Sequence, residues 1–121
     1  MNVNKSGLWG EVYASRFLRD NGYRIIAGNY RCRMGEIDII AAKDGVTCFI
    51  EVKTRGQDPL FRPMEAVDEH KRKRLVGAAE YYNRYINQES SSRFDVIEVT
   101  LDKDYKLTEL NHIQDAFGAL D

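Results

Sequence analysis

Residues 35–54 read Gly35-Glu36-Ile37-Asp38-Ile39-Ile40-Ala41-Ala42-Lys43-Asp44-Gly45-Val46-Thr47-Cys48-Phe49-Ile50-Glu51-Val52-Lys53-Thr54. Two stretches that alternate apolar and polar residues, as half-buried strands do, flank Asp44-Gly45. A two-residue Asp-Gly loop is among the strongest short-range hairpin signals. With that loop, Lys43 pairs with Val46, and the register running outward sets Asp38 opposite Glu51 and Glu36 opposite Lys53, all on one face. Like charges directly opposed across a sheet are destabilising. Ile39, Ile40, Ile50 and Val52 mark the hairpin as central and buried, where the cost is higher. A bound divalent cation is the commonest good reason to keep two such acids together.

The pattern suits phosphodiester hydrolysis. The substrate is anionic, the attacking water is weak, and negative charge builds on the phosphoryl oxygens. A magnesium-type ion answers all three difficulties and takes one or two carboxylates while keeping several waters. Asp38 and Glu51 meet that demand, and Lys53, two residues beyond Glu51, points to the same face. Its ammonium would stabilise developing charge or handle the proton of the nucleophilic water. The bland alternative is a surface ladder in which Glu36 pairs with Lys53 and the acids face water.

Outward from the hairpin, residues from about Ser6 to Asn21 read as a helix, with Ser6 as N-cap and Gly22 as the stop. Leu8, Ser15 and Leu18 share a stripe, and Glu11 falls within it; that carboxylate either snorkels to solvent or faces a cleft. Tyr23–Tyr30 reads as a strand, followed by the hairpin strands at Glu36–Ala42 and Val46–Thr54. Arg55–Pro63 carries the composition of a loop. A second helix is expected over Glu69–Asn87, with Leu75, Ala79, Tyr82 and Ile86 as its core stripe and Lys71 one turn before it. A strand over Phe94–Leu101, a short one over Lys106–Leu110 and a terminal helical turn or two over His112–Leu120 complete the pattern. The helix between the third and fourth strands allows that pair to be parallel. The fold class expected is α/β, a mixed sheet flanked by helices, in one domain over residues 1–121.

The chain of 121 residues, 43% hydrophobic and 31% charged, has the composition of a soluble globular protein. No apolar run approaches the ~20 residues of a membrane span, and the start lacks a secretion signal, so a cytoplasmic, non-membrane protein is expected. Cys32 and Cys48 fit that compartment as free thiols, and with two histidines a structural zinc site is not expected. Net charge is −1, so no global basic field draws in nucleic acid. Basic residues cluster locally: Arg31 and Arg33 before the first acidic strand, Arg55 after the second, and His70-Lys71-Arg72-Lys73-Arg74 at the second helix.

Asp38, a twelve-residue gap, then Glu51-Val52-Lys53 resembles the PD-(D/E)xK nuclease motif. The set Gly7-x-x-Gly10-Glu11, Asn29-Tyr30-Arg31, Gly35-Glu36-Ile37-Asp38, Glu51-Val52-Lys53-Thr54-Arg55 and Arg93-Phe94-Asp95-Val96 resembles the bacterial YraN-type family of predicted endonucleases, which is similar to archaeal Holliday-junction resolvases. Ile37 stands where the motif's name has proline, a position that contributes no chemical group. The resemblance implies a restriction-endonuclease-like core. It implies Asp38 and Glu51 as metal ligands, Lys53 as catalytic lysine and Glu11 as an accessory acid and third ligand, with magnesium (or manganese in its place) as cofactor. It also implies structured or branched DNA as partner, with Arg31, Arg33, Arg55, Arg62, Lys71 and Arg74 on its phosphates; such contacts position a duplex without reading its sequence. A homodimer would suit the two-fold character of a four-way junction. A non-catalytic nucleic-acid-binding or scaffold protein, and a nuclease acting on RNA, are the alternatives.

Overall fold

The computed structural model describes residues 5–56, 69–86 and 91–117. Its elements are α1 (Lys5–Asp20), β1 (Arg24–Cys32), β2 (Gly35–Lys43), β3 (Val46–Gly56), α2 (Glu69–Tyr85), β4 (Ser91–Leu101) and β5 (Leu107–Ile113). The five strands form one mixed sheet in sequential order, antiparallel throughout except for the parallel β3–β4 pair that α2 connects. No helix among the described residues is long and apolar enough to cross a membrane.

The hairpin forms in the expected register, with Lys43 opposite Val46 and Ile39 opposite Ile50. Asp44 and Gly45 both take positive φ, as the tight turn requires. The ladder stops at Ile39–Ile50, one pair short of Asp38–Glu51. Beyond that point β3 pairs with β4 on its other side, where Lys53 lies opposite Glu98, while Glu36 pairs with Arg31 of β1. The expected Glu36–Lys53 opposition is therefore absent. β2 and β3 part before reaching it, while each keeps its outer neighbour, β1 or β4.

Period-2 alternation buries both faces of the central strands. Ile40, Phe49 and Val96 pack with Leu75, Ala79 and Tyr82 of α2, whereas Ile39, Cys48, Ile50, Ile97 and Val99 pack with Ala14 and Leu18 of α1. The helices thus cover opposite faces. The buried line of α1 is Gly10–Ala14–Leu18, not Leu8–Ser15–Leu18, and Leu8 is half exposed. Small residues explain the difference: a Cβ on Gly10 would collide with the Thr54 side chain, so the helix lies too close to β3 for anything larger. Ser6 sits within α1, which already includes Lys5, and is not its N-cap. Gly22 does end the helix. At φ 87° its N–H donates to the Arg19 carbonyl, and the Tyr23 N–H donates to that of Leu18, the paired bonds of a Schellman motif. Ile86, expected in the α2 core stripe, is exposed.

The terminal helical turn expected over His112–Leu120 does not form in the described part. β5 runs through Ile113, the Ala116 N–H donates to the Phe94 carbonyl, and Phe117 stacks on Phe94 at 5.4 Å. The chain folds across the end of the sheet because that buries an aromatic ring.

The turn between β1 and β2 lies against α2, and Gly35 makes this approach possible. A Cβ there would overlap the backbone of Arg74, which cannot swing aside. Gly35→Ala is expected to lower unfolding free energy by about 1–3 kcal/mol, measured by urea denaturation. An unchanged midpoint would mean that the turn does not sit on α2 as described.

Candidate functional site: a carboxylate fork between two helices

Where β2 and β3 part, the Asp38 side chain bridges the fork, its Oδ2 accepting the Val52 N–H at 2.8 Å. The local backbone explains why this acid faces inward: it supplies the acceptor that a continued ladder would have supplied. Glu51 stands beside it and shares a hydrogen bond with it. Burial first, then the Asp38 charge, pushes the Glu51 carboxyl up to about 7. Asp38 is raised too, again chiefly by burial, against the lowering hydrogen bonds from Val52 and Glu51. Two acids held this close favour one shared proton when no cation is present.

Glu11 enters from α1 and lines the same pocket, so it faces a cleft instead of snorkelling. Its pKa is raised by burial and by Asp38. Asn29 Nδ2 donates to Glu11 Oε1 at 2.9 Å, from a residue at φ 51° inside β1, a conformation that asparagine tolerates better than most side chains. From α2 comes Lys71, whose Nζ lies 3.7 Å from Glu51 Oε1, with Arg74 on the same pocket wall. The pocket measures about 230 Å3 and opens between the N-terminal turns of the two helices.

Lys53 follows Glu51 on β3 but is not among the residues lining this pocket. It is 6% exposed, and burial lowers its pKa against the raising influence of Glu98 and Glu51. The remaining basic residues divide. Arg31 pairs at 3.4 Å with Glu36, itself on the pocket wall, and its charge acts on Glu11, whereas Arg55 donates to Glu98 Oε2 at 2.9 Å. Arg33 lies on a separate cleft beside α2. Arg62 lies outside the described residues. Of the six expected phosphate contacts, Lys71 and Arg74 line the pocket itself and Arg31 stands at Glu36 on its wall.

Asn29 had only a place in a motif to single it out, and its role as the partner of Glu11 was invisible to strand periodicity. Asp95 is a second such residue. It is fully buried and accepts from Arg93 Nε and Nη2, each at 2.9 Å, and from the Asp115 N–H at 2.9 Å, with His112 Nε2 at 2.8 Å. Arg93 also donates to the Tyr23 hydroxyl at 2.8 Å. This network ties β4 to β5 and to the chain leaving α1.

The chemistry of the fork suits a hard divalent cation, with two adjacent carboxylates and room for the waters such an ion retains. Among the described residues no three His, Cys, Asp or Glu side chains converge into a ready-made cage. The geometry is therefore that of a two-carboxylate seat with Glu11 at its side, held by Asn29.

The family described as "Uncharacterised protein family UPF0102" matches residues 10–99, a span that contains every member of the fork. A UPF0102 protein of Clostridium perfringens strain SM101 is 43% identical over 122 residues, covering 94% of this chain and 95% of its own. One from Caldicellulosiruptor bescii is 42% identical over 119 residues, with 97% and 100% covered. One from Moorella thermoacetica is 43% identical over 119 residues, with 97% and 98% covered.

Proposed function

The chain belongs to the UPF0102 family, and we propose that it is a metal-dependent endonuclease that hydrolyses phosphodiester bonds in structured or branched DNA on a restriction-endonuclease-like core. The observation that carries this reading is the Asp38–Glu51 pair. Two half-buried acids sharing a hydrogen bond are an unfavourable arrangement for a structural role and a fitting one for a cation.

When bound there, magnesium would neutralise phosphate charge and make water a better nucleophile. The chain's own residues do the rest. Asp38 and Glu51 would hold the ion, and Asp38 is oriented by the Val52 N–H. Lys71 and Arg74 at the pocket wall bind phosphate oxygens, and Lys71 exchanges its contact with Glu51 for the substrate. Lys53 places a buried positive charge two residues along β3 from Glu51 and offsets the charge of the paired acids. Glu11, fixed by Asn29, accepts a hydrogen bond from water entering the pocket. The arginine and lysine contacts of this reading go to phosphates, which position a duplex without reading its base sequence.

Purified protein incubated with linear, single-stranded, flapped and four-way-junction DNA is expected to cut a branched form in magnesium or manganese and nothing in EDTA. Binding without cutting in either metal would favour the non-catalytic scaffold reading. Preferential cutting of RNA would replace the substrate while leaving the site in place.

A further inference from the structure

A second cleft, of about 340 Å3, lies between the β1–β2 turn and the C-terminal half of α2. Arg33 and Met34 come from the turn, and Glu80, Tyr81, Arg84 and Tyr85 come from the helix. A Cβ on Gly77 would stand 3.3 Å from the Met34 carbonyl, so this glycine lets the turn and helix close up at the cleft floor. Tyr85 is 61% exposed and Met34 52%, and the Tyr81 and Tyr85 ring centroids are 4.8 Å apart. Met34 and Tyr85 thus present apolar and aromatic surface side by side with charged groups at one cleft.

The cleft continues the carboxylate fork. Lys71, Arg74, Gly77, Tyr81 and Tyr85 follow one another at helical spacings of three and four along one flank of α2. At 1.5 Å per residue this line is ~21 Å long. Its near end is cationic and its far end aromatic, with Arg33 and Arg84 at the rim. Arginine beside exposed aromatic faces is the composition that holds single-stranded nucleic acid, the cations taking phosphates and the rings stacking bases. Glu80 on the cleft wall repels a phosphate and accepts from an exocyclic amine, which places the base inward and the backbone at the arginine rim.

We propose that this cleft takes an unpaired nucleotide of a DNA strand whose paired portion lies over the carboxylate fork. The inference rests on reading the fork as a DNA site, and it specifies the substrate as a duplex with an unpaired arm.

The test is fluorescence anisotropy with the full chain in EDTA, comparing a blunt duplex with the same duplex carrying unpaired arms. Tyr85→Ala is expected to weaken binding to the armed duplex about tenfold and to leave the blunt duplex unchanged, whereas Tyr85→Phe keeps the affinity. The exposure of Tyr85 makes a folding defect an unsuitable explanation, and the Phe variant checks it. Equal weakening on both duplexes, or none on either, overturns the proposal. So does concentration-dependent dimerisation that Tyr85→Ala removes without touching DNA binding, which would assign the cleft to a second copy of the chain. Tighter binding of RNA arms would overturn the assignment to DNA. The absence of metal separates this result from cleavage. Tyr85-dependent binding by a chain that cuts nothing counts against the nuclease reading alone, and cutting without that dependence counts against the cleft alone.

Discussion

If the fork works as proposed, Asp38→Asn and Glu51→Gln are each expected to reduce metal-dependent DNA cleavage by about three orders of magnitude, because a bound cation would contribute several kcal/mol of charge stabilisation in the transition state. The same substitutions will make the metal-free protein more stable. Both carboxyls have folded-state pKa values above their ordinary ones, Glu51 at about 7 against 4.5, with burial as the leading cause. An acid whose pKa rises on folding binds more protons in the native state, so unfolding free energy falls as pH climbs from the ordinary carboxyl value through the folded one. The penalty is absent below about pH 4 and complete above pH 7–8, and it amounts to roughly 1–3 kcal/mol. Glu51→Gln removes it and loses the ion pair with Lys71, whose ammonium is half exposed, a contact worth little. Thermal melts in EDTA from pH 5 to pH 8 should therefore decline for the native chain and run flatter for Glu51→Gln. Magnesium should raise the native melting temperature and leave both variants unmoved. Native-like cutting by either variant, or an unchanged response to magnesium, would remove the fork from the chemistry.

Asp95→Ala is expected to be the most destabilising single change, by about 3–5 kcal/mol, because it strands Arg93 without its bidentate partner and His112 without its acceptor. At this chain length that corresponds to a fall in melting temperature on the order of 10–20 °C. The group also predicts acid behaviour opposite to that of the fork. Burial pushes the Asp95 carboxyl upward, but the hydrogen bonds from His112, Arg93 and the Asp115 N–H together outweigh it and hold the pKa below 3.8. A depressed acid contributes stability that is present above its unfolded value and lost as pH falls through the folded one. The native chain should therefore lose stability below about pH 4 on account of Asp95, and above about pH 5 on account of the fork. Equilibrium denaturation across pH tests both limbs at once. Asp95→Asn should flatten the acid limb alone, and an unaltered acid limb would show that the buried network does not set it.

The two groups explain why some of the site could be read in advance and some could not. Strand alternation and the Asp-Gly turn put Asp38 and Glu51 next to each other, and the structure keeps that register as far as Ile39–Ile50. What alternation cannot express is where a ladder ends. The fork opens where the β2–β3 ladder ends at Ile39–Ile50 and the Asp38 side chain takes the Val52 N–H, while β1 and β4 stay paired to the outer edges of the two strands. The expected Glu36–Lys53 pair failed for that reason. The α1 stripe was misjudged because counting large apolar residues overlooks a helix seated through Gly10 and Ala14.

By itself, then, the sequence determined the two helices, the hairpin and the adjacency of two acids, which depend on periodicity and turn chemistry within a few residues, though not the end of the chain. Tertiary structure alone decided which charges meet those acids. A run of basic residues looks uniform along the chain. Wound on α2 and laid across the sheet, it presents Lys71 and Arg74 to the fork, while Arg33 meets Tyr81 and Tyr85 in another cleft and Arg55 is taken up by Glu98. Side-chain direction on a packed helix is set by the face it buries, and the core that fixes this face is assembled from the whole sheet.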